Sequence, residues 1–298
     1  MERKKSKAPA LFLCLAAYTV AAFAGILFVR HIWWGSMHPI VIIGIADLVA
    51  TVVIFIFSVI FDNSSFYDPY WSIAPIFFVF YYFFFINPED GSPVRRLLVV
   101  AFVTIWGIRL TINFLLHWRG LEHEDWRYEN FRSAAKRGYW PVSFLGIHLF
   151  PTIIVFLGSL SLYPVLVEST RFFNIIDIAA IIITIGAICI EAVADGQLRK
   201  FYLQNDDKKK VFNNGLWGVS RHPNYFGEIS FWWGLYLFGL AANPAYWWTV
   251  IGPLIITLMF RFISLPMIEK RMSSRRPDFQ EMQESVSAII PWPFNRKQ

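Results

Sequence analysis

The chain has little cysteine and little charge, and both shortages narrow what it can be. Its two cysteines, Cys14 and Cys189, sit far apart inside apolar runs. They make no disulfide framework and no metal-ligand spacing, and both read as buried thiols. Charged residues are 16% of the 298 positions and apolar residues 56%. Soluble domains carry about 25% charged residues and about 45–50% apolar ones, so an ordinary soluble fold is excluded. No Gly-x-Gly-x-x-Gly follows a strand, which removes a Rossmann nucleotide domain, and no His-Glu-x-x-His occurs. No internal repeat or low-complexity stretch is visible. The first apolar run, residues 8–29, is too long for a signal-peptide core and shows no small-residue cleavage site, so it reads as a spanning helix.

What the chain has in quantity is long apolar runs. They fall at about 9–29, 39–61, 70–86, 94–116, 142–166, 173–195, 224–242 and 244–266. In lipid a backbone must satisfy its own hydrogen bonds, so helices are the expected form. The expectation is an all-α polytopic membrane protein: a bundle of about seven or eight transmembrane helices with an intramembrane cofactor or substrate cavity. Pro141, Pro151 and Pro164 make the fifth span the least regular. The organisation is a basic N-terminus at 1–8, a bundle at 9–266 with its motif-rich part at 190–266, and a tail at 267–298.

Charge supplies the orientation. With eight spans, 22 of the 27 Lys and Arg fall on the side that holds both termini, and Arg30, Arg95, Arg96 and Arg171 on the other. That bias places both termini in the cytoplasm of an integral multi-pass protein. The expected membrane is the endoplasmic reticulum, or the inner membrane if the source is bacterial. The net charge of +6 is assigned to cytoplasmic loops, anionic membrane lipids and a phosphorylated cofactor, and not to nucleic acid.

Ionisable residues within the spans are costly and need reasons. Asp47 reads as a structural partner for a neighbouring helix. Asp68, before Pro69, reads equally as a helix cap or a site residue. Arg109 lies well inside its span and reads as an anion contact or the partner of a carboxylate. The loop 117–140 holds His117, His123, Glu122, Glu124 and Asp125, but the spacing matches no zinc pattern. It reads as a charged interfacial helix, with Trp126 and Tyr128 at the interface. No metal site is expected. Glu191, Asp195 and Arg199 share one helical face at i, i+4, i+8 and suggest one wall of a ligand groove.

The densest polar set is Ser220-Arg221-His222-Pro223-Asn224-Tyr225-Phe226-Gly227-Glu228, set against an apolar run. A helix starting near Pro223 offers exposed N–H groups which, with Arg221 and His222, suit a phosphate. The basic tail that follows residue 261 reads either as a lipid-surface segment or as a lid over a cofactor.

Trp106-Gly107-Ile108-Arg109-Leu110, Glu124-Asp125-Trp126-Arg127-Tyr128, Ala194-Asp195 with Gln197, and the 215–228 stretch occur in this order. Together they resemble the uncharacterised-membrane-protein branch of the steroid 5α-reductase superfamily, over most of the chain from about 68 to 291. The resemblance implies an NADPH-dependent reductase of a C=C bond in an α,β-unsaturated lipid of steroid, sterol, fatty-acyl or isoprenoid type. It implies cofactor-site roles for Arg109, Asp195, Asn224 and Glu228, with Arg199, Arg221, His222 and Tyr225 beside them, and Glu191 one turn deeper on the same stripe. Asp68 matches the acid at the enone carbonyl. Two positions depart from the pattern: Trp106 stands where a tyrosine works with that acid, and Met282 where a tail tyrosine is expected. Tyr67 and Tyr70 are candidate substitutes. Two other functions fit the same residues. One is an S-adenosylmethionine-dependent membrane methyltransferase using a tail carboxylate such as Glu269. The other is a non-catalytic lipid-binding or scaffold protein.

Overall fold

The computed structural model describes residues 7–31, 37–85, 91–205, 207 and 210–292. Arg3, Lys4 and Lys5 of the basic N-terminus, Asp206, Lys208 and Lys209 of the 206–210 charge run, and Pro293 lie outside them. Every described element is helical. Six helical stretches are long and apolar enough to cross a bilayer: Ala8–His31, Pro39–Ile60, Pro93–His117, Trp126–Ser159, Ile175–Gln204 and Pro244–Arg275. The architecture is that of a polytopic helical membrane protein. Large apolar side chains such as Phe12, Phe23, Ile182 and Phe262 are exposed, as a surface in contact with lipid requires.

The chain divides into two compact units, Met1–Phe84 with Val103–Leu160, and Phe85–Phe102 with Ser161–Gln298. The first unit contains α1 (Ala8–His31), α2 (Pro39–Ile60), α3 (Tyr70–Phe85) and the later part of α4 (Pro93–His117). Pro39 opens α2 at a position where no N–H is needed, and His38 caps it by accepting from Ile40 N at 3.3 Å. The same unit holds α5 (Trp126–Ala135), α6 (Tyr139–Ser143) and α7 (Phe150–Ser159). Asp125 caps α5 through the N–H of Arg127.

The fifth span differs from its expected bounds of 142–166. The helical stretch breaks at Lys136, whose φ is +49, between α5 and α6; helix then continues from Tyr139 to Ser159, and Leu162–Leu166 is a separate short helix, α8. Pro141 falls in the first turn of α6, just past the break at Lys136, and Pro151 is accommodated by a π-helical turn at Phe144–Leu149 directly before it. The wider turn relieves the clash between a proline ring and the carbonyl four residues back. A second π turn, Phe260–Ser264, precedes Pro266 in the same way.

The second unit is built on α9 (Ile175–Gln204) and α10 (Pro223–Ala242), the most extensive helix pair in the chain. Small residues let the two backbones approach. A Cβ on Gly227 would lie 2.4 Å from Glu191 Cγ, and one on Gly234 would lie 2.2 Å from Thr184 Oγ1. The two glycines are seven residues apart, as are their partners, so the contact repeats every two turns along an antiparallel pair. The unit is completed by α11 (Ile251–Met259), α12 (Leu265–Arg275) and α13 (Phe279–Ser285).

Arg95 closes one end of this pair. The sequence reading puts it at the start of a span on the side away from the termini, and the structure places it in the first turn of α4 with no exposure. Its fork meets the Asp177 carboxylate at 2.6 and 2.7 Å. Its remaining donors reach the carbonyls of Arg171 and Phe172 and the Ser169 hydroxyl at 2.8 to 3.1 Å. Asp177 also belongs to the capping box that starts α9 with Asn174. One ion pair thus fixes the start of α4, the start of α9 and the loop before it. Removing one partner of a buried pair strands the other charge, at a cost of about 3–5 kcal/mol. Arg95→Ala is therefore expected to lower the thermal unfolding temperature in detergent sharply, and Arg95→Leu combined with Asp177→Leu to recover most of the loss.

Candidate functional site

The polar stretch 215–228 folds as a turn and a helix start. Gly215 has φ +62, and a Cβ there would lie 2.6 Å from the Gln197 amide, so the position requires glycine. Gln197 Oε1 accepts from Leu216 N at 3.1 Å, and Trp217 donates its indole N–H to Ala194 O at 3.0 Å. These contacts hold the turn on the last turns of α9. α10 then begins at Pro223.

Arg221 is the centre of a latch on the tail. Its Nε donates to Glu269 Oε1 at 2.8 Å, and its Nη1 donates to the carbonyls of Gln283 and Val286 at 3.0 and 2.5 Å. Its backbone N–H donates to Ser287 O at 2.8 Å, Ser220 Oγ donates to Ile289 O at 2.7 Å, and Trp292 N donates to Val219 O at 2.9 Å. Glu269 also meets His222 Nε2 at 3.2 Å and accepts from the Gln283 amide at 3.0 Å. The sequence reading offers the backbone and side chains of this turn to a phosphate. The folded chain instead uses the N–H of Arg221 for the tail, and the N–H of His222 for Ser220 Oγ at 3.2 Å.

Beside the latch lies a cavity of about 380 Å³. The turn and α10 contribute Trp217, Arg221, His222, Asn224 and Tyr225 to its wall. The His222 and Tyr225 rings are stacked 5.1 Å apart, and Tyr225 leans on Phe260 at 4.7 Å. From α12 come Ile268, Arg271, Met272 and Arg275, at i, i+3, i+4 and i+7, so one helical face points into the space. Arg276, Tyr202 and Phe212 add to it. No Asp or Glu is among the described residues that line it. Four arginines and several rings around one hollow make a site for an anion that carries a flat or apolar group.

The other sequence-selected residues are distributed around this core. Glu191 is buried against Gly227 in the α9–α10 contact. Glu228 is buried and accepts from the Trp232 indole at 2.9 Å. Asp195 is half-buried on α9 and Arg199 is exposed there. Arg109 is half-buried in the part of α4 that belongs to the first unit. Among these candidates, Arg221, His222, Asn224 and Tyr225 share the cavity wall. Arg271, Arg275, Arg276, Tyr202, Phe212 and Trp217 were not singled out as site residues. The signal that finds the first two is the helical period of 268–275, which the two readings of the tail, lipid-surface segment or lid over a cofactor, do not use.

The first unit carries Asp68 on a short connector between α2 and α3. Asn63, Ser64, Ser65, Phe66, Tyr67, Pro69 and Tyr70 are all buried, and Asp68 is the half-exposed member of the run. The connector is tied down by Ser64 Oγ to Tyr139 Oη at 2.6 Å, Tyr67 Oη to Thr152 Oγ1 at 2.7 Å and Tyr18 Oη to Phe66 O at 2.9 Å. Asp47 receives the Tyr70 phenol at 2.6 Å, a structural pairing with a residue type not foreseen. Asp68 accepts a hydrogen bond from the Tyr128 phenol at 2.5 Å. Burial raises its pKa to about 6, against the lowering by Tyr128 and by the Arg127 charge. Tyr67 and Tyr70 are engaged elsewhere. The tyrosine at the acid is Tyr128, which sequence spacing assigned to the membrane interface.

Residues 54–286 match the family described as "Protein of unknown function (DUF1295)", and the chain belongs to that family. It is 28% identical over 254 residues to an uncharacterized protein of Schizosaccharomyces pombe, covering 77% of this chain and 73% of the relative. No solved structure matches it.

The latch makes a specific demand. Arg221→Gln removes the three charge-assisted bonds to Glu269, Gln283 and Val286, worth about 1.5–3 kcal/mol each. Residues 283–292 are expected to exchange amide hydrogen faster and to be cut sooner by protease, while protection in α9 and α10 is kept. Hydrogen-exchange mass spectrometry on the protein in detergent measures both.

Proposed function

We propose that this protein is an NADPH-dependent membrane reductase that saturates a C=C bond conjugated to a carbonyl in a hydrophobic lipid. The observation that carries the reading is the arginine-lined, ring-walled cavity of the second unit. Its lining suits a nucleotide with several phosphates: guanidiniums for the anionic groups, Phe212 and Trp217 for a flat ring, and Asn224 as a polar contact. The resemblance of the 215–228 stretch to the steroid 5α-reductase superfamily supports the same ligand. The methyltransferase reading fits less well. S-adenosylmethionine carries a sulfonium cation that four arginines would repel, and the carboxylate it would use, Glu269, is held by Arg221, His222 and Gln283.

Bound NADPH would supply the hydride; the chain's own task is the proton and the polarisation of the carbonyl. Asp68 in its neutral form donates a hydrogen bond to a carbonyl oxygen, which drains electron density from the β-carbon and makes it a hydride acceptor. Tyr128 holds the Asp68 carboxyl in place and fills the role that Trp106 leaves open. The charge bias of the loops supports a cytoplasmic location for both termini and for the mouth of the nucleotide cavity, and the proposed membrane is the endoplasmic reticulum or a bacterial inner membrane.

Two measurements test the reading. NADPH is expected to bind the purified protein in detergent, seen as a saturable change in its fluorescence, and Asn224→Ala to weaken it; absence of binding ends the proposal. The second concerns pH. Asp68 is neutral below its pKa of about 6 and ionised above it. Reduction of an enone lipid at saturating NADPH is therefore expected to fall about tenfold per pH unit above that value. Asp68→Asn is expected to lower kcat roughly 10²–10⁴-fold and to flatten the profile.

A further inference from the structure

The cavity's arginines are not equivalent. Arg221 commits Nε to Glu269 and Nη1 to the tail carbonyls of Gln283 and Val286, so its work is to hold the wall. Arg271 and Arg275 lie one turn apart on the α12 face that lines the space, and Arg276 follows at the helix end. Arg276 is positioned by Tyr202 at the end of α9. Its Nη2 donates to the phenol oxygen at 2.5 Å, and its guanidinium carbon lies 5.4 Å from the ring centroid. Three guanidiniums carried on six consecutive residues thus gather on one stretch of wall, and Phe212 and Trp217 give the cavity apolar surface.

Such a cluster suits one kind of group better than others. A guanidinium offers a planar fork that matches phosphate oxygens, and several forks together favour a doubly charged terminal phosphate over a singly charged diester. We propose that Arg271, Arg275 and Arg276 form a phosphomonoester subsite, and that it selects a nucleotide bearing a terminal phosphate on its sugar over the same nucleotide without one. Resting on the reductase reading above, this makes the α12 arginines the determinants of preference for NADPH over NADH. The same chemistry occurs in the headgroup of phosphatidate, a lipid source that the experiment separates from the soluble one.

The test is calorimetry on the full chain in detergent, with NADPH and NADH as probes, which differ only in the 2′-phosphomonoester. Short-chain phosphatidate is run against short-chain phosphatidylcholine in parallel. NADPH is expected to bind roughly tenfold or more tightly than NADH, in line with the strength of charge-assisted bonds. In the double variant R271Q/R275Q that preference disappears while NADH affinity is kept, which also reports that the variant is folded. R271K/R275K, which keeps charge but loses the forks, is expected to fall between. Equal affinity of the two nucleotides for the wild type overturns the subsite and leaves the nucleotide reading standing. A preference that survives in R271Q/R275Q overturns it as well. Arginine-dependent binding of phosphatidate with no nucleotide binding supports the phosphomonoester subsite and removes the reductase reading. Binding of neither overturns both.

Discussion

A chain this apolar has few places where a charge can be left unmatched, and two arginines show how it meets that constraint. Arg95 sits at the end of the α9–α10 pair where α9 begins and α10 finishes, with both oxygens of Asp177 and the loop carbonyls around it. Arg221 sits at the other end, where α10 begins, and binds Glu269 and the tail. Water is not available to solvate a guanidinium in such surroundings, so each draws in the backbone that can. Between them the glycine contacts at Gly227 and Gly234 hold α9 and α10 in close contact.

The candidate sites follow from that frame. Because the latch spends Glu269 and part of Arg221, it defines a wall from which α12 can present further arginines. Glu269 beside the cavity is paired with Arg221 and His222, and the described lining carries arginines and no carboxylate. In the first unit the same logic runs at smaller scale. The connector before α3 is buried and hydrogen-bonded at nearly every residue, which leaves Asp68 as its half-exposed acid with Tyr128 upon it. Burial raises the pKa of that carboxylate to about 6, within reach of neutrality.

Much of this was legible in advance, and the exceptions share a cause. Period and composition located the helices, and the start of α10 at Pro223 was readable because proline at the first turn is a local rule. The fifth span differs at its ends from the expected 142–166: helix resumes at Tyr139 after the positive φ of Lys136 and stops at Ser159, and a π turn before Pro151 lets it run through that proline. Arg95 stands at a span end, where charge ordinarily goes to water; a bidentate carboxylate 82 residues away lets it be buried instead. Tyr128 was missed as the partner of Asp68 because 60 residues separate them.

The sequence by itself determined the class of molecule: helices, their approximate bounds, the scarcity of charge, and the stretch around 215–228 where polar chemistry gathers. Those properties depend on residues close together along the chain. Only the tertiary structure decided which groups each charge meets. It latched Arg221 to the tail beside the cavity, turned the arginines of α12 towards that cavity, and set Tyr128 on Asp68. Each of those outcomes rests on a contact between segments remote in sequence, where desolvation forces a pairing that no local pattern encodes.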